Sequence, residues 1–196
     1  MKELKDFLIT NENINITESK FLNNLHIELT DAEMQITNKL AELISYNNTL
    51  TVNVDGADIN FLTNSEEDNK EMHDLYSVAG ILVEKYLVYL LNKEINSESY
   101  FGSDFEQVLS QKNIDNGSYK SYDLELNDLC FEIKCYHKLD NEGIYLSNKQ
   151  KSQIGPDAYL ILVQVGIGKN NIMIKDIVVK QFKNLKVSGN YIKGAK

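Results

Sequence analysis

Arginine and tryptophan are absent from the 196 residues, proline occurs once and cysteine twice, so the 20 basic side chains are all lysine. Long apolar runs are missing as well. Nothing approaches the roughly 18 consecutive apolar residues of a membrane-spanning helix. The N-terminal Met1-Lys2-Glu3-Leu4-Lys5-Asp6 continues into Asn11-Glu12-Asn13 with neither an apolar stretch nor a small-residue cleavage site, which is not the pattern of a signal peptide. The expected setting is cytoplasmic, with no membrane partner. Cys130 and Cys135 are five apart and would point to opposite faces of a strand, which argues against a disulfide between them. His26, His73 and His137 are scattered and, with those cysteines, make no zinc spacing. Gly166-Ile167-Gly168 before Lys169 lacks the length and the following helix of a phosphate loop.

What is present is ordinary globular material, 42% hydrophobic and 25% charged, in a length that suits one good-sized core or a core with a small appendage. Charge is unevenly spread. From Lys149 onward there are nine lysines against Asp157 and Asp176, a local net of +7, whereas residues 1–148 carry 11 lysines and 27 acids, a net of −16. A total of −9 speaks against loose, charge-driven nucleic-acid binding, yet the basic last quarter keeps a local phosphate-facing surface open beside the plainer reading of a solvated lysine-rich end.

Thr30-Asp31-Ala32-Glu33 is a capping box, and Met34, Ile36, Leu40, Leu43 and Ile44 follow at helical spacing, which predicts a helix over 31–46. Asp55-Gly56 between 50–54 and 57–61 predicts a hairpin. The polar run 64–70 sets a boundary: an N-terminal α/β appendage over 1–70 and a second unit over 71–196. A long helix is expected over 71–93, whose only charges between Val78 and Leu91 are Glu84 and Lys85, so it should be buried on several sides. A shorter helix after Ser103 and a loop over 113–117 follow. Strands over 121–126 and 129–136 come next, then a second capping box, Ser147-Asn148-Lys149-Gln150, opening a short helix closed by Gly155-Pro156. Ala158–Val165 reads as a buried strand and 171–181 as another. The expected class is α+β (α/β), with a mixed central sheet flanked by helices.

If Asn127-Asp128 forms a two-residue turn, Leu126 pairs with Leu129, Glu125 with Cys130, Leu124 with Phe131 and Asp123 with Glu132. One face of this hairpin is then apolar: Leu124, Leu126, Leu129, Phe131, Ile133 and Cys135. The other holds Asp123, Glu125, Cys130, Glu132, Lys134 and Tyr136. Two carboxylates placed about 4.5–5.5 Å apart at Cβ repel unless one is protonated or a cation lies between them. Two carboxylates and a backbone carbonyl, that of Ile133, suit a hard divalent ion, Mg²⁺ above all, with Mn²⁺ as a substitute. Lys134 lies on the same face, within reach of an anion bound to that ion, and together these groups make phosphodiester hydrolysis the natural chemistry.

Asp123, eight intervening residues and Glu132-Ile133-Lys134 resemble the PD-(D/E)xK nuclease superfamily, which includes many restriction endonucleases. Tyr122 stands where the family often has proline, at a loosely kept position. The pattern Tyr-Asp-Leu…Glu-Ile-Lys-Cys-Tyr is most similar to modification-dependent and no-vein-type nuclease domains, and the resemblance covers roughly 76–166. The bare acid-x-lysine triplet occurs four times, beginning at Glu3, Glu18, Asp68 and Glu132. Only the last sits in an apolar-backed strand with an upstream acid opposite. The resemblance implies a restriction-endonuclease-like core, Mg²⁺ held by Asp123 and Glu132, Lys134 as the residue that positions water or balances charge, and DNA as substrate. It also implies that Glu84 faces the site from the preceding helix, against the alternative of a solvent-facing residue paired with lysine. Gln150 is either an addition to the site or only the partner in its own capping box. Lys149, Lys151 and Tyr136 are candidate nucleic-acid contacts, His137 reads as a surface histidine beside the triplet, and a homodimer would supply two active sites. A nuclease directed at RNA, or a nuclease-fold module that binds without cutting, are the rival readings.

Overall fold

The backbone N–H of Thr30 donates to Glu33 Oε2 at 2.8 Å, and the Glu33 N–H to Thr30 Oγ1 at 3.4 Å, so the first capping box closes in both directions. Beyond it the chain runs helical from Asp31 to Tyr46 and turns Thr37, Leu40, Ala41 and Ile44 inward, a stripe at helical spacing. The computed structural model describes residues 4–11, 13–46, 49–55, 68–95, 123–126, 129–137, 143–168 and 170–193. In chain order the elements are β1 (Leu4–Asn11), α1 (Lys20–Leu25), α2 (Asp31–Tyr46), β2 (Thr49–Asp55), α3 (Asp68–Ile95), β3 (Leu124–Leu126), β4 (Leu129–Tyr136), β5 (Ile144–Tyr145), α4 (Asn148–Gln153), β6 (Tyr159–Ile167), β7 (Asn171–Gln181), β8 (Lys186–Ser188) and β9 (Tyr191–Lys193).

The fold is α+β: a mixed six-stranded sheet, ordered β2-β1-β7-β6-β4-β3, flanked by helices, with a small sheet β5-β9-β8 beside it. The β1–β7 and β4–β6 pairs are parallel and the other main-sheet pairs antiparallel. Residues 4–55, expected as an appendage, supply two strands of the main sheet, and Phe7, Ile9, Leu40, Ile44 and Val52 share one core with α3 and with β4, β6 and β7. β2, the described arm of the expected Asp55-Gly56 hairpin, pairs antiparallel with β1, from Leu4↔Asp55 to Thr10↔Thr49. The strand expected over 57–61, the helix after Ser103, the loop over 113–117 and the Asn127-Asp128 turn lie outside the described residues.

Both faces of the sheet are covered. Ile133, Ile161, Val163 and Val165 face the core built with α2 and α3, while Leu160, Leu162 and Val178 face a second core with Phe21, Ile144, Leu146, Ile154 and Ile192. A bulge at Gln164/Val165, opposite Ile174 and Asp176, inserts one residue into β7. It shifts the alternation so that Ile172, Ile174, Ile177 and Val179 all meet the first core. At the bulge Asp176 is buried, and it accepts hydrogen bonds from Ser19 Oγ at 2.9 Å and the Phe21 N–H at 3.1 Å, at the start of α1.

Parallel strands require a crossover, and the one from β4 to β6 carries β5 and α4 across the second-core face. The polar face of the hairpin is therefore largely covered: Cys130 and Tyr136 pack against that core, and Glu132 is only 7% exposed. Leu129, placed by alternation on the apolar face, is instead 40% exposed at the start of β4.

Candidate active site

β3 is three residues long and its ladder with β4 ends at Leu124↔Phe131. The expected rung between Asp123 and Glu132 is not formed. Asp123 sits at a bend ahead of β3; its N–H donates to Phe131 O at 3.0 Å, and its Oδ2 accepts the Ile133 N–H at 2.6 Å. A single carboxylate thus takes the place of the next strand residue. Strand geometry sends the N–H and C=O of one residue to the same edge, so the Ile133 carbonyl also leaves β4 on the side of Asp123, away from β6.

A cleft of about 450 Å³ wraps this edge, and Glu84, Asp123, Glu132, Ile133, Lys134, Tyr136 and Gln150 all line it. Glu84 comes from α3 on one side of the sheet and Gln150 from α4 on the other. Ser147 Oγ accepts the Gln150 N–H at 3.1 Å, and Gln150 Oε1 accepts the Ser147 N–H at 3.0 Å, a complete capping box. The same amide reaches into the cleft: its Nε2 donates to Glu132 Oε1 at 3.0 Å, and its Oε1 accepts from Lys134 Nζ at 3.2 Å. Gln150 thus closes its own capping box and bonds Glu132 and Lys134 with the same amide.

Burial raises all three carboxylates, and the charge of Asp123 adds to it at Glu84 and Glu132. Burial, then the charges of Asp123 and Glu132, push Glu84 far above the usual range, and Glu84 is hydrogen-bonded to Asp123. Asp123 is raised by burial in spite of the Ile133 N–H and the bond from Glu84, so Glu84 is the member of the pair that keeps the proton. Burial, followed by the Asp123 charge, lifts Glu132 to about 7. In metal-free buffer the folded protein therefore binds more protons than the unfolded chain between about pH 4.5 and 7, and its stability falls as pH rises through that window. Glu132→Gln should recover roughly 2–3 kcal/mol at pH 8 and little at pH 4.5, read from urea denaturation in EDTA.

Tyr76, which the hairpin did not point to, lines the cleft with Gly80 and with His137, the histidine beside the triplet. Tyr76, Gly80 and Glu84 are spaced by four and share one helix face, a periodicity that points to them once Glu84 is chosen. The Tyr76 and His137 rings stack at 3.9 Å between centroids. Gly80 lets α3 lie against β4, its carbonyl accepting from Cys135 Sγ at 3.6 Å. A methyl at Gly80 would meet Cys135 Cβ at an ordinary 3.5 Å. Gly80→Ala is therefore expected to stabilise the protein by about 0.5–1 kcal/mol through helix propensity, measured by thermal melting.

Lys151 does not line the cleft. Its Nζ donates to Gly189 O and, at 3.2 Å, to Asn190 Oδ1, tying α4 to the β8–β9 turn. The side chain of Lys149 lies outside the described residues. Among the described residues no three His, Cys, Asp or Glu side chains are grouped to hold a metal ion by themselves, and no helix is long and apolar enough to cross a membrane. No family model, curated protein or solved structure matches the chain.

Proposed function

We propose that the chain is a divalent-metal-dependent nuclease of the PD-(D/E)xK kind, an endonuclease that hydrolyses phosphodiester bonds in DNA in a restriction, defence or repair setting. The observation that carries this reading is the Gln150 amide, which holds Glu132 with its nitrogen and Lys134 with its oxygen in the cleft that Asp123 and Glu84 share. A solvated Glu–Lys surface pair has no need of a half-buried amide between its members.

The donor set fits a hard cation: Asp123, Glu132, Glu84 and the Ile133 carbonyl offer oxygen only, and the charge of Asp123 raises the proton affinity of both Glu84 and Glu132. These residues would hold Mg²⁺, or Mn²⁺ in its place. Bound there, a divalent ion polarises a phosphate and lowers the pKa of water. Gln150 takes one of the three ammonium donors of Lys134, which leaves two to orient the attacking water or to balance charge on the phosphate. Cutting both strands of a duplex takes two such sites, so a homodimer belongs to the proposal.

The test is cleavage of plasmid DNA and of a structured RNA in Mg²⁺ or Mn²⁺, with EDTA as control. Metal-dependent nicking or linearisation of the plasmid is the expected result. Cleavage confined to RNA moves the substrate to the rival polymer, and inactivity on both overturns the nuclease in favour of a binding module.

A further inference from the structure

The small sheet presents an outward face of its own. β9 lies between β5 and β8, with Ile144↔Ile192↔Val187 forming one row and Tyr145↔Tyr191↔Ser188 the next. Ile144, Ile192 and Val187 turn into the second core. By strand alternation Tyr145, Tyr191, Ser188, Lys186 and Lys193 turn the other way. Lys186 and Lys193 are direct cross-strand partners on that face, both exposed. Like charges facing each other across a ladder destabilise it, and among the described residues neither lysine forms an ion pair. Their neighbours in sequence are committed elsewhere: Lys180 is buried against Glu33, and Lys183 bonds Asp157 at 2.8 Å. Beside the lysine rung, Tyr145 (50% exposed) and Tyr191 meet edge to face with centroids 5.5 Å apart.

Two lysines left to repel, with two aromatic rings in the adjoining row, match a ligand that alternates anionic groups with flat rings. A single-stranded nucleic acid is such a ligand, whereas a duplex hides its rings and a polyglutamate chain carries the charge without a ring. The face is also joined to the cleft. Tyr145 is two residues before Ser147, the cap of α4, and the Leu146 N–H and Lys151 both bond the β8–β9 turn. We propose that the outward face of β5-β9-β8 is a binding platform for single-stranded nucleic acid, with Tyr145 and Tyr191 stacking bases and Lys186 and Lys193 taking the backbone. It extends the nuclease reading by naming where an acidic protein grips its polymer, and it is testable without cleavage.

The experiment is fluorescence anisotropy of labelled oligo(dT) and oligo(rU) with the full chain in EDTA, where no cutting occurs. The two oligomers separate DNA from RNA as the source of the strand. Binding of at least one is expected, with Tyr145→Ala weakening it roughly 5- to 150-fold at unchanged melting temperature. Lys186→Gln with Lys193→Gln should weaken it and reduce the salt slope by about 1.4, for two backbone contacts on a single strand. Lys39→Gln, at an exposed lysine of α2 outside both the cleft and this face, should bind as wild type does, which separates the platform from lysine charge in general. The platform is overturned if neither oligomer binds, if Tyr145→Ala binds as wild type, if polyglutamate competes as well as the oligomer, or if Lys39→Gln weakens binding as much as the Lys186 and Lys193 pair does.

Discussion

Metal-dependent cleavage of plasmid DNA is expected to fall about 10²- to 10³-fold in Lys134→Ala, the usual consequence of deleting one preorganised charge-stabilising group. The ammonium is fixed before any substrate arrives, because Gln150 Oε1 holds it at 3.2 Å and the same amide holds Glu132. Gln150→Ala removes the brace and leaves the lysine, so a smaller loss is expected, about 10- to 100-fold, as for supporting residues that orient a reactive group. Rates from supercoiled-plasmid nicking, set beside circular dichroism of each variant, decide the matter. If Lys134→Ala cuts as fast as wild type, this cleft is not where cleavage occurs.

The second large effect concerns stability. Glu33 and Lys180 form a buried ion pair at 2.8 Å, and the Glu33 carboxylate also accepts from Asn184 Nδ2 and from the backbone N–H groups of Thr30 and Gln181. Burial by itself would raise the Glu33 pKa; Lys180, Asn184 and the two N–H groups outweigh it and bring it down to about 2. Lys180→Ala strands that charge and is expected to cost about 3–5 kcal/mol. At roughly 2–4 °C per kcal/mol for a chain of this size, calorimetry should show a drop of about 6–20 °C. The pH dependence has the opposite sign to that of the cleft. A depressed acid stabilises above its unfolded value, so this contribution is present above about pH 4.5 and is lost as pH falls towards 2. Glu33→Gln should flatten acid unfolding across that range. A Lys180→Ala protein that melts with the wild type would show the pair contributes nothing.

Local signals in the sequence were legible and long-range ones were not. The Asp31–Tyr46 helix and the Leu124↔Phe131 register follow from capping boxes and alternation within a few residues. β1 escaped because its alternation is broken by an exposed Leu8 and because its parallel partner, β7, lies about 160 residues away, a pairing that leaves no local pattern. Glu33 shows the same limit: its capping role is written in the four residues from Thr30, its hold on Lys180 only in the fold. At the site, the hairpin put Glu132 and Lys134 on one face. It could not show that Asp123 would leave the ladder to bond Ile133, since that depends on where β3 stops pairing.

α4 is six residues long, well short of the roughly 12–15 residues at which an isolated helix becomes even marginally stable in water. Its first turn persists because Ser147 and Gln150 cap each other, and Gln150 is also the latch on Glu132 and Lys134. Fraying of this one turn would unlatch the acid and the lysine together, with the rest of the fold intact. The working temperature of such a site is therefore set by this one turn rather than by the core.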